Sequence, residues 1–65
     1  MTVEIQGLGK ITARKEVLNT IRDWAFTATD VYKFHEHFAL ADRTRNAANT
    51  ILDALDNEGY YDRLK

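Results

Sequence analysis

The chain of 65 residues predicts a small α+β domain, an N-terminal β-hairpin packed on three short α-helices. Three observations carry this expectation. Residues 2–6 alternate polar and apolar side chains, two glycines bracket Leu8, and the rest of the chain repeats its apolar residues at helical spacing without a single proline. An all-α three-helix unit with an irregular N-terminus is the alternative.

The hairpin comes first. In Thr2-Val3-Glu4-Ile5-Gln6, side chains alternate between the two faces of a strand, so Val3 and Ile5 share one face and Glu4 takes the other. Gly7-Leu8-Gly9 supplies a tight turn, because glycine enters positive φ without a steric penalty. Lys10-Ile11-Thr12-Ala13 then returns as the second strand. A lone two-stranded hairpin is marginal in water, so Val3, Ile5, Leu8 and Ile11 are expected to rest on the helices. Pairing of its edges with another chain is the other way to stabilise it. Gly7-x-Gly9 lacks the third glycine and the Lys-Ser/Thr pair of a phosphate-binding loop.

The first helix is expected over residues 13–28 with Thr12 as its N-cap. Val17, Leu18, Ile21, Trp24, Ala25 and Ala28 form its apolar stripe, while Phe26 projects nearly opposite Val17. Thr27-Ala28-Thr29-Asp30 is expected to interrupt the helix, since β-branched residues lower helix propensity and Thr or Asp favours a cap. A second helix over 30–40 would use Val31, Phe34, Phe38 and Ala41, with His35 beside them. Asp42 would cap a third helix over 43–58, whose inner face is Thr44, Ala48, Ile51, Leu52 and Leu55. Gly59 stands where a left-handed residue ends a helix, and Tyr60 is placed to touch Leu55. The domain thus spans 1–65, with the hairpin at 1–13, the helical unit at 13–58 and a tail at 59–65.

The same residues narrow the function. No cysteine is present, which excludes a disulfide scaffold, a thiolate zinc site and a cysteine nucleophile. No serine is present either, and no Thr or Lys is bracketed by a His and a carboxylate at readable spacing. His35-Glu36-His37 suggests a metal centre, but on a helix side chains two apart point about 200° away from each other. The zinc-protease spacing would need a histidine at position 39, where Ala39 stands. No catalytic residue, metal or cofactor is therefore expected, and the chain is read as a non-enzyme. No stretch reaches the roughly 20 apolar residues of a membrane span, and Met1-Thr2-Val3-Glu4-Ile5 lacks the layout of a signal peptide. A cytoplasmic protein without a membrane partner is expected.

Two binding readings remain. Arg43, Asn46, Asn49 and Thr50 form a polar stripe of types that read base edges, giving a helix-turn-helix-like reading with the helix at 43–58. Against it, residues 42–58 hold two arginines and four acidic side chains, and the whole chain carries a formal charge of −1. Protein binding draws instead on Phe26, Tyr32, Leu40, Tyr60 and Tyr61, which fit no single inward stripe. Aromatics with a polar tip bury large area at interfaces. Asp53 and Asp56, with Glu58 and Asp62, would steer a basic partner. A chain this short gains only about 3–5 kcal/mol from its own core, so a larger partner or a homodimer would complete it. The sequence is accordingly read as a small cytoplasmic binding protein that occupies a surface of a larger protein or complex, of the regulatory or inhibitory kind carried by phages and mobile elements. The alternatives are the DNA-binding regulator and a structural protein that assembles through its hairpin edges.

Overall fold

A computed structural model describes the backbone of residues 1–64 and the side chains of residues 1–62. The order is β1 (Thr2–Ile5), β2 (Gly9–Thr12), α1 (Lys15–Phe34), α2 (Phe38–Asn57) and a closing 3-10 turn (Tyr61–Leu64). The α+β architecture with an N-terminal hairpin stands, but two long helices replace the three short ones. Lys65, in the expected tail, lies outside the described residues.

β1 and β2 pair antiparallel, with Val3 opposite Ile11 and Ile5 opposite Gly9. Gly7 and Gly9 both take φ of 89°, and the Leu8 amide donates to the Ile5 carbonyl at 3.0 Å to close the turn. Val3 and Ile5 are buried and Ile11 packs beside them. Leu8 is not buried against the helices: it rides the tip of the turn, 73% exposed. Thr12 ends β2 and exchanges a 2.8 Å hydroxyl bond with Thr2, so it is not the cap of the first helix. That position falls to Arg14, which makes no side-chain capping bond.

The interruption expected at Thr27–Asp30 does not occur. Thr27 and Thr29 turn their hydroxyls back onto the carbonyls of Asp23 and Ala25, at 3.1 and 2.8 Å, and stay within α1. Thr29 is buried, and its hydroxyl lies 2.6 Å from that of Thr44 on α2. The chain reverses later, at His35–His37. Glu36 adopts the left-handed conformation at φ 62°, the Glu36 amide donates to Lys33 and the His37 amide to Tyr32. This is a Schellman ending built on glutamate. Asp42 is consequently not a cap either. It lies inside α2 and pairs with Arg45 at 3.1 Å. α2 ends as expected: Gly59 takes φ 73°, the Tyr60 amide donates to Leu55 at 3.0 Å, and the Gly59 amide donates to Asp56 at 2.9 Å.

α1 and α2 form an antiparallel pair. At the hairpin end their seam holds the fully buried Leu18, Ile51 and Leu55. Towards the Glu36 turn it narrows to Thr29, Ala41 and Thr44. β1 packs on α2, placing Val3 and Ile5 against the cluster of Leu18, Ala47, Ile51 and Leu55. The slab that results measures 36 × 27 × 15 Å. Among the described residues, no helix is long and apolar enough to cross a membrane.

Candidate functional site

The lengths of the elements create the site. A helix of 20 residues runs about 30 Å, whereas a strand of four covers about 13 Å. The hairpin, packed through β1 on α2, is therefore much shorter than either helix. An open groove of about 470 Å³ lies between the hairpin and the helices, walled by Ile5, Leu8 and Ile11 of the hairpin, by Ile21, Ala25 and Tyr32 of α1 and by Leu40, Thr44 and Ala47 of α2. Arg43 stands on the groove wall, exposed and outside every ion pair formed among the described residues. Tyr32 also borders a shallower hollow of about 350 Å³ formed with Trp24, Thr27, Ala28 and Val31. The groove and the hollow meet at Tyr32.

The other flank of α1 is closed by the chain's own C-terminus. Tyr60 and Tyr61 stack with ring centroids 5.3 Å apart, and the Tyr61 hydroxyl donates to Asn19 Oδ1 at 2.8 Å. The Arg22 guanidinium lies over both the Phe26 and the Tyr61 rings, at 5.8 and 5.6 Å, and pairs with Asp23. Burial pushes the Tyr61 phenol above its ordinary pKa, against the opposing pull of Arg22.

Of the aromatic candidates, Phe26, Tyr60 and Tyr61 sit half-buried in this closed flank, and only Tyr32 borders the open groove. Asp53 and Asp56 are exposed along α2. Arg43, Asn46 and Asn49 are exposed on the same helix, and Thr50 is half-buried with its hydroxyl donating to the Asn46 carbonyl at 2.8 Å. The turn expected before this stripe is helical, so the helix-turn-helix outline has no counterpart at residues 40–42. His35 and His37 stand in the turn rather than on a helix, one edge-on to Phe34 and the other edge-on to Tyr32. Among the described residues, no group of three or more His, Cys, Asp or Glu is placed to hold a metal.

The most exposed apolar side chains were expected in the core. Trp24 is 72% exposed and Phe34 82%, and Val17, Val31 and Phe38 are also exposed. One signal in the sequence marks three of them. Val17, Trp24 and Val31 recur every seven residues and so fall on one line along the helix, apart from Leu18 and Ile21. The chain matches no protein-family model, no curated protein and no solved structure.

Proposed function

We propose that this chain is a small non-catalytic binding protein that acts by covering a surface of a larger protein or complex. The observation that carries the reading is the apolar ridge of Val17, Trp24 and Val31, left in solvent beside an open groove. A partner seated on the ridge would also supplement a core whose fully buried large side chains are Leu18, Ile51 and Leu55. In this reading the setting is the cytoplasm, consistent with a sequence free of cysteine.

The test is affinity capture from the cells that make the protein, followed by reconstitution with the purified captured partner. Trp24→Glu is the informative variant, because an exposed side chain can change without unfolding the chain, as circular dichroism will verify. The expected result is a stoichiometric partner that binds the variant at least tenfold more weakly. Equal retention by both forms, or no partner for either, refutes the proposal.

A further inference from the structure

Resting on that reading, we infer the chemistry of the partner: an amphipathic helix with a basic flank, laid along α1. The argument starts from two parallel rows. Val17, Trp24 and Val31 form the apolar row, all exposed. Glu16, Asp23 and Asp30 form an acidic row with the same seven-residue repeat, also exposed. Between the rows lie Thr20, Thr27 and Phe34, exposed as well. In heptad terms Val17 opens position a, Thr20 opens position d, and the acidic residues occupy the neighbouring g positions. A partner helix seated on a and d brings its own flanking side chains against that acidic row. Asp23 is partly neutralised by Arg22, whereas Glu16 and Asp30 form no ion pair among the described residues. Basic side chains on the partner complete the set.

A second copy of the chain fits poorly on this ridge. Paired antiparallel about a two-fold axis, the acidic row of each copy faces the acidic row of the other, and like charges in apposition oppose association. Paired parallel, the acidic row meets position e, where Glu16 faces Ile21, Asp23 faces Ala28 and Asp30 faces only His35, in the turn beyond α1. Neither arrangement gives Glu16 an oppositely charged partner or the row a lysine or arginine.

The whole protein itself provides the readout, because Trp24 is its single tryptophan and stands on the ridge. The probe is a three-heptad peptide with leucine at a and d and lysine at e and g; its control carries glutamate at e and g. The lysine peptide is expected to shift Trp24 emission to the blue and to bind on the order of tenfold more tightly than the control at low salt, with the gap closing as salt rises. The doubly substituted Glu16→Lys, Asp30→Lys protein, altered only at exposed positions, is expected to reverse the preference. Equal response to both peptides, or response to neither, overturns the basic helix. Loss of partner capture by Trp24→Glu alongside that failure would leave the binding reading intact and show that its partner has a different chemistry. Sedimentation of the free protein as a dimer with Trp24 already buried would put a second copy on the ridge and overturn the inference.

Discussion

Tyr61 ties the C-terminal turn to α1 through one hydroxyl, donated to Asn19 at 2.8 Å. The partners lie 42 residues apart, so no local periodicity could have joined them. Tyr61 stands out in the sequence because it fits no stripe, but nothing in the residue spacing shows that Arg22, Phe26 and Tyr60 converge on it. The phenol's pKa is raised in the folded state. Its contribution to stability is therefore complete below the unfolded value of about 10 and is lost as pH rises through the folded value. Tyr61→Phe removes the hydroxyl bond and is expected to cost about 1 kcal/mol near neutrality. The gap between wild type and variant should narrow in urea titrations above about pH 10. A gap that widens there would contradict the burial assigned to this side chain.

Both helices end in the same hydrogen-bonded motif, yet only one of those endings could be read in advance. Gly59 announces its left-handed position because glycine takes positive φ freely. Glu36 occupies the equivalent position with a side chain that disfavours it, so nothing in its identity marks the turn. Thr27 and Thr29 misled in the opposite direction: residues that favour caps instead bonded back to their own helix. The hairpin was legible because alternation and two turn glycines agree. Glu36→Gly is expected to stabilise the fold by about 1 kcal/mol, raising the melting midpoint by several degrees in a domain of this size. A lowered midpoint would mean that the glutamate side chain holds the turn by contacts beyond its backbone conformation.

For the molecule as a whole, the misplaced helix boundaries explain the misplaced core. Three short helices would have offered Val31, Phe34 and Phe38 a third wall, whereas two long ones leave those side chains in solvent. Periodicity identified the apolar arc of α1 correctly but could not decide which part of it would be covered. Leu18 lies under the hairpin and α2, and Trp24 lies beyond their reach. The covered part carries the fold. Leu18→Ala is expected to remove roughly 2–5 kcal/mol from a core worth about 3–5 kcal/mol, leaving the chain largely unfolded by circular dichroism at 25 °C. A cooperative melt with a small shift would show that stability resides elsewhere. The connectivity has a consequence for biosynthesis. β1 precedes both helices, but its resting place is α2, with Ala47, Ile51 and Leu55 from the middle of that helix onward. A ribosome emitting this polypeptide from its amino end delivers the greasy strand long before its seat exists. The strand waits unseated until α2 has been made.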